Sequence, residues 1–370
     1  MIPGKAYPER YDEQLADKLR ALQSQFSAFK MPKLETFESP KTHYRMRAEF
    51  KIWQQGERAH YAMYQPGEYK KPILIDEFSI GSQYIVDLMP HLLSAINASA
   101  ALRQRLFQVE FLSSLAGEVL VTLIYHKALD DQWDAEASTL ETALKCKIIG
   151  RSRKQKRVLS TDYITESLQV GEEFFHYQQV ETGFTQPNAR VCESMLSWAC
   201  RCAEQIITQQ SDNKKDLLEL YCGNGNFTLP LSRRFDKVLA TEVSKTSVNS
   251  ARFNIEKNAC ENIEIIRLAS EEVSAALAGE REFRRLQMIQ LEDYNFSTVF
   301  VDPPRAGLDD ATVELVSRFD NILYISCNPD TLKRNLEALD TSHEPVRFAA
   351  FDQFPYTHHL ECGLWLRKRQ

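Results

Sequence analysis

Residues 217–227, Leu217-Leu218-Glu219-Leu220-Tyr221-Cys222-Gly223-Asn224-Gly225-Asn226-Phe227, join a short apolar run to a glycine-rich stretch. The run Leu217 to Leu220 predicts a strand, and the two glycines predict a turn into a helix that lets a ligand approach the backbone closely. A second run, Lys237-Val238-Leu239-Ala240-Thr241-Glu242, ends in an acid nineteen residues after Gly223. An acid there suits the two hydroxyls of a ribose. IEIIRLA (263–269), STVFV (297–301) and NILYIS (321–326) continue the rhythm, with helical stretches between them. Short apolar runs alternating with helices predict a doubly wound parallel sheet, in which ligands sit outside the carboxyl ends of the strands. Five strand ends should therefore meet at one cleft.

The third glycine of a dinucleotide fingerprint is replaced by Thr228. That glycine normally permits tight helix–strand packing beside a pyrophosphate, so a nucleoside cofactor without one fits better. S-adenosyl-L-methionine is the expectation. STVFV leads into Asp302-Pro303-Pro304-Arg305, a carboxylate followed by two prolines that stiffen the loop. NILYIS ends at Cys327-Asn328-Pro329, where a helix should begin near Asp330 and its first amides should favour a thiolate. The last motif, Phe354-Pro355-Tyr356-Thr357-His358-His359-Leu360-Glu361-Cys362-Gly363, reads as part of a final strand. Adjacent histidines on an extended chain point to opposite sides and make no two-ligand metal face. Glu361 lies just before an apolar run, where burial raises proton affinity as a catalytic base requires.

Composition narrows the class. The 370 residues are 43% apolar and 26% charged, which predicts an ordinary globular protein, and the length favours two domains. The polar start and the lack of a long apolar stretch predict neither a membrane span nor a signal peptide. The eight cysteines show no C-x-x-C pair, so a cytoplasmic protein without structural metal or an iron–sulfur cluster is expected. A net charge of −6 requires any nucleic-acid partner to be bound through local patches. One such patch is KCKIIGRSRKQKR (145–157), which includes Arg151, Arg153 and Lys154 and has no acid.

Before the cleft-forming half, Leu15, Leu19, Leu22 and Phe26 predict an amphipathic helix over residues 10 to 30. Alternation predicts strands at 43–52, 108–112 and 119–125, with helices around 79–106 and 131–146. The stretch TDYITESLQVGEEFFHYQ (161–178) reads as polar and turn-rich, and the domain boundary is placed near residue 180. A helix from about Pro187 to Gln209 opens the second half.

The set LELYCGNGNF, VDPPRAGL, ISCNP and FPYTHHLECG, with FTQPN at 184–188 and HYRMRAEF at 43–50, resembles the tRNA (uracil-5-)-methyltransferases, in order and over almost the whole chain. The resemblance implies an α/β protein with a C-terminal class I, Rossmann-like S-adenosylmethionine-dependent methyltransferase domain (181–370) and an N-terminal α+β domain (1–180) that recognises tRNA. It implies methylation of C5 of the uridine at position 54 in the T loop, with Cys327 as nucleophile and Glu361 as base. It also implies cofactor contacts at Gln186, Tyr221, Asn226, Glu242 and Asp302; Gly223 is added from the geometry of its turn. The expected partner is the T arm of tRNA, with other RNAs bearing a tRNA-like arm as further candidates; no obligate protein partner is expected. Ribosomal RNA relatives carry an oligonucleotide-binding-like domain and a four-cysteine iron–sulfur motif, and neither pattern is found.

The residues supply a mechanism consistent with this. Uracil C5 is a poor nucleophile, and addition of a thiolate to C6 generates an enolate that attacks an electrophilic methyl group. A base then removes the C5 proton and the thiol is eliminated. The target base must be extruded, and aromatic or guanidinium planes should fill its place. Phe107, His126, Arg45 and Arg47 are candidates. Asp302 and Gln186 are left open between the uracil edge and the cofactor amine. Two alternatives also stay open: an exocyclic-amino methyltransferase acting on adenine or guanine, which needs no cysteine, and a non-catalytic RNA-binding protein.

Overall fold

A computed structural model describes residues 2–64, 67, 71–209, 215–277, 284–286 and 289–369. The chain forms two compact units. One comprises Met1–Glu9, Pro40–Ser167 and Gln179–Ala189; the other comprises Arg10–Ser39, Leu168–Gln178 and Arg190–Gln370. A single cut near residue 180 does not describe this division, because the N-terminal helix belongs with the C-terminal half. Its apolar stripe is the reason: Leu22 and Phe26 are buried in the core of the second unit.

In chain order the elements begin with α1 (Tyr11–Gln25), β1 (Leu34–Phe37), β2 (Arg47–Gln55), β3 (Arg58–Met63) and β4 (Ile73–Leu74). Next come α2 (Gln83–Ala98), α3 (Ala100–Arg103), β5 (Leu106–Ser113), β6 (Val119–Tyr125) and α4 (Asp131–Leu144). They are followed by β7 (Lys147–Ser152), β8 (Gln155–Val158), β9 (Tyr163–Val170), β10 (Glu173–Val180) and α5 (Ala189–Gln209). The cleft-forming half starts with β11 (Asp216–Leu220), α6 (Thr228–Ser232), β12 (Lys237–Glu242), α7 (Lys245–Lys257), β13 (Ile263–Arg267) and α8 (Ser270–Leu277). It ends with β14 (Phe296–Val301), α9 (Asp310–Val316), β15 (Asn321–Ser326), α10 (Pro329–Leu339), β16 (His343–Phe351) and β17 (Glu361–Lys368).

The second unit is built on an eight-stranded sheet ordered β1-β16-β17-β15-β14-β11-β12-β13. β11 to β15 are parallel, β17 runs antiparallel between β15 and β16, and β1 adds parallel to β16. All five residues of β11 and all six of β15 are buried, as strands covered on both faces require. Strand order reverses between β11 and β14, and the chemistry-bearing residues follow the carboxyl ends of these strands.

The first unit holds a seven-stranded sheet ordered β4-β3-β2-β5-β6-β7-β8, packed by α2 and α4 on one face. The helix expected over 79–106 ends at Ala98 and restarts after Ser99, whose hydroxyl accepts from Leu102 N and caps α3. The stretch expected to be turn-rich is the hairpin β9–β10, and the basic run is the hairpin β7–β8. In β9 buried residues alternate with more exposed polar ones, and few apolar side chains mark such a strand in sequence.

Candidate active site

Glu242 ends β12 as the spacing predicts, and its carboxylate turns back onto the glycine turn. Oε2 accepts from Gly223 N at 3.1 Å and Oε1 from Ser244 N at 2.7 Å. Each oxygen keeps a second lone pair, so the group can accept from two neighbouring hydroxyls. Gly223 stands at φ +57 with nothing within 4 Å of the place a Cβ would take, an open stretch of backbone beside the acid. Tyr221, also in the left-handed region at φ 61, has its hydroxyl 3.0 Å from Ser270 Oγ. Tyr221, Glu242, exposed Val243, Ser270 and Pro304 contribute to the lining of a cavity of about 490 Å³. That volume lies in the range of small-molecule sites.

Two other expected cofactor residues are placed differently. Asn226 directs its side-chain amide at Cys192 Sγ (3.4 Å) and does not line this cavity, while its carbonyl accepts from the Tyr177 hydroxyl. Gln186 belongs to the first unit, half-buried in the segment that precedes α5.

Cys327 follows the last residue of β15 and is half-exposed, the only one of the eight cysteines that is not buried. The helix expected near Asp330 begins at Pro329, and Asn328 caps it by accepting from Asp330 N at 3.1 Å. On the far strand, β15 pairs antiparallel with β17 so that Ser326 faces Cys362. Cys327 is the residue after Ser326 and Glu361 the residue before Cys362, so both adjoin the last pair of this ladder. Phe351 of β16 pairs with Glu361 from the other side. Asp302 follows Val301, which pairs with Tyr324 of β15.

These groups form one electrostatic cluster. Burial, followed by the charge of Asp302, pushes the Glu361 carboxyl up to about 8, and burial pushes Asp302 up to about 7. Neither carboxyl has an ion-pair partner among the described residues. The thiol of Cys327 moves opposite to the sequence expectation: burial, then Glu361 and Asp302, push it up to about 11. Burial and, after it, the acidic neighbours outweigh the helix terminus, whose Asp330 amide is already occupied by Asn328.

Sequence reading missed a fourth acid. Glu219 in β11 is 1% exposed, its Oε2 has no hydrogen-bond partner, and burial pushes it up to about 8. Its signal was a lone acid inside an otherwise apolar run. The two histidines are also not on a strand. Residues 352–360 form a turn-rich connection in which the rings of His358 and His359 lie 4.1 Å apart. No group of three or more metal-ligating side chains occurs among the described residues.

The first unit holds a second feature. Phe107, 37% exposed, stacks on His126 with centroids 4.2 Å apart and planes at 20°, and Lys51 Nζ sits 4.1 Å from the Phe107 centroid. These two rings line an open cavity of about 820 Å³ together with Arg151 and Arg153. The basic run is largely neutralised: Lys147 pairs with Glu118, Arg151 and Lys156 with Glu181, and Arg157 with Asp134. Arg153 and Lys154, at the tip of the β7–β8 hairpin, are exposed and have no ion-pair partner among the described residues. Arg45 and Arg47 are half-buried; Arg45 Nε donates to Arg47 O and Arg47 Nη2 to Glu181 O. Lys51 was missed, although its period-two spacing from Arg47 on β2 places it on the same face.

Residues 10–369 match the model of the tRNA (Uracil-5-)-methyltransferase family. The chain is 60% identical to the tRNA/tmRNA (uracil-C(5))-methyltransferase of Saccharophagus degradans over 99% of both chains. It is 56% identical to the protein of the same name from Teredinibacter turnerae over the full length of both. Among solved structures, the Pyrococcus abyssi tRNA (uracil-54, C5)-methyltransferase in complex with S-adenosyl-L-homocysteine superposes with a TM-score of 0.72 at 22% identity. The match covers 96% of this chain and 83% of that one, and shows a common fold.

Proposed function

The chain belongs to the tRNA (uracil-5-)-methyltransferase family, and from that premise we propose that it methylates C5 of the uridine at position 54 in the tRNA T loop, using S-adenosylmethionine. The observation that carries the residue assignment is the end of the β15–β17 ladder, where a half-exposed thiol and a buried carboxyl with no ion-pair partner among the described residues adjoin the last pair. Cys327 is the nucleophile and Glu361 the base. RNAs with a tRNA-like arm are further substrates under this reading, in keeping with relatives named for both tRNA and tmRNA.

The pocket residues fit the cofactor. Glu242 offers two acceptors to the ribose hydroxyls, Val243 an apolar surface to the adenine, and the open backbone at Gly223 room for close approach. Nearby acids Asp302 and Glu219 suit a ligand carrying a sulfonium and an ammonium. When bound, S-adenosylmethionine supplies an electrophilic methyl group.

Cys327, once ionised, adds to uracil C6; the C5–C6 π pair moves toward O4 and makes C5 nucleophilic. After C5 has taken the methyl group, Glu361 accepts the C5 proton. The C–H pair re-forms the C5–C6 double bond while the C6–S bond breaks and returns the thiolate. A cation bound among the acids favours their ionised forms, which readies Glu361 for this step. The stacked Phe107 and His126 serve as the aromatic platform for T-loop bases, and Arg153 and Lys154 as phosphate contacts. The need for a reactive cysteine separates this reading from amino-group methylation of a purine.

The test is incubation with S-adenosylmethionine and tRNA carrying 5-fluorouridine. Fluorine cannot leave as a proton, so a denaturation-resistant protein–RNA adduct that maps to Cys327 and position 54 is expected. Active protein that forms no adduct, or an adduct at another residue, overturns the assignment.

A further inference from the structure

One face of α1 is directed at the segment that carries Glu361. Tyr11, Gln14, Lys18 and Gln25 follow one another by three, four and seven residues and so share a side of the helix. Lys18 Nζ donates to Asp352 Oδ1 at 2.6 Å and to Phe354 O at 2.8 Å, and both side chains of the pair are almost fully buried. Gln14 Nε2 donates to Asp352 Oδ2 at 3.1 Å, and its Oε1 accepts from Tyr356 N at 3.3 Å. The ring of Tyr11 meets that of Tyr356 edge-on at 6.2 Å. At the far end of the helix, Gln25 Nε2 donates to Asp330 Oδ1 at 2.7 Å, three residues after Cys327.

The connection held in this way, residues 352–360, joins Phe351 to Glu361, and those two residues are themselves paired across β16 and β17. Asp352 is fully buried directly after the pair, and Tyr356 is held at φ 63, a conformation a non-glycine residue keeps only when its surroundings impose it. A buried ion pair is a poor way to gain stability, since apolar side chains of the same volume do as well or better. What it supplies is a single geometry.

We propose that α1 braces the catalytic base: Lys18 and Gln14 are positioning residues that hold the 352–360 connection so that the Glu361 carboxyl meets the C5 proton of the adduct. The inference rests on the assignment of Cys327 as nucleophile and Glu361 as base. Addition of the thiol and methyl transfer do not use Glu361 in that scheme, so a loosened brace should slow only the last step.

The experiment is single turnover of the full-length chain with S-adenosylmethionine and unmodified tRNA, following formation and decay of the covalent adduct on denaturing gels. Gln14→Ala, Lys18→Met and the double variant Lys18→Met/Asp352→Asn are compared with wild type; the double variant leaves no unpaired buried acid. Cofactor affinity and the rate of adduct formation are expected to stay within about twofold, while decay slows about tenfold or more, so that adduct accumulates. Decay at the wild-type rate in Gln14→Ala and the double variant overturns the brace, and so does an equal slowing of formation and decay. Wild-type protein that forms no adduct with 5-fluorouridine tRNA instead removes the nucleophile and base assignment on which the brace rests.

Discussion

Cys327 and Glu361 lie at the same end of the β15–β17 ladder, each next to one member of its last pair, Ser326 and Cys362. Glu361 is also pinned by Phe351 on its other side. The two groups therefore belong to one local geometry, and their variants should separate two steps. Cys327→Ala is expected to lower turnover by roughly 10⁴-fold or more while S-adenosylmethionine binding persists. Glu361→Gln should instead let the covalent adduct form and then hold it. Quenched-flow gels with labelled tRNA measure both, and a Glu361→Gln protein that releases product at the normal rate would exclude it as the base.

Burial and acidic neighbours put the Cys327 thiol up at about 11. Its alkylation by iodoacetamide in free protein should therefore keep rising with pH through 9, because only the thiolate reacts. Asp302→Asn removes a negative charge that opposes thiolate formation, so its profile should move to lower pH. The difference should open above about pH 7, where Asp302 ionises. Mass-spectrometric quantitation of the Cys327 peptide reads the profile directly.

Glu219 has its proton affinity raised in the folded state, up to about 8, from the ordinary carboxyl range near 4.5. The protonated form is then favoured by folding. Its contribution is fully present below the unfolded pKa and is lost as pH rises through the folded value, by about 1.4 kcal/mol for each unit of displacement. Glu219→Gln cannot ionise and should flatten the fall in stability between pH 5 and pH 8. Urea denaturation at several pH values checks this; parallel pH curves for the two proteins would mean that Glu219 is not held protonated.

Arg153 and Lys154 are exposed charges of the basic run with no ion-pair partner among the described residues, so the double variant Arg153→Ala/Lys154→Ala should weaken tRNA binding and reduce the slope of log affinity against log salt by about 1 to 2. Phe107→Ala should cost about 1–3 kcal/mol in binding with little change in that slope, because stacking is not a counterion effect. Fluorescence anisotropy across a salt series separates the two. An unchanged slope in the double variant would exclude those side chains as phosphate contacts.

Much of the second unit was legible because it is written in local signals. β11, the turn at Gly223, the acid ending β12 and the cap at Asn328 each need only neighbouring residues, and the period of apolar side chains names the sheet. The hairpin β9–β10 was not legible, since its strands bury one side and leave polar residues on the other. The charge of residues 145–157 was visible, but the partners that neutralise most of it, Glu118, Asp134 and Glu181, lie at separate places along the chain.

The amino-acid order alone was enough for the class of sheet, the identity of the strand-end residues and the resemblance to a methyltransferase family, because each depends on short-range spacing. Only the folded chain decided that the N-terminal helix packs with the C-terminal half, that Lys18 meets Asp352, and that burial and nearby acids raise the proton affinity of Cys327. Those outcomes depend on which groups from distant segments are brought together and how much water is excluded between them. Coulomb and desolvation energies are set by such distances and by burial, and neither is encoded in local spacing.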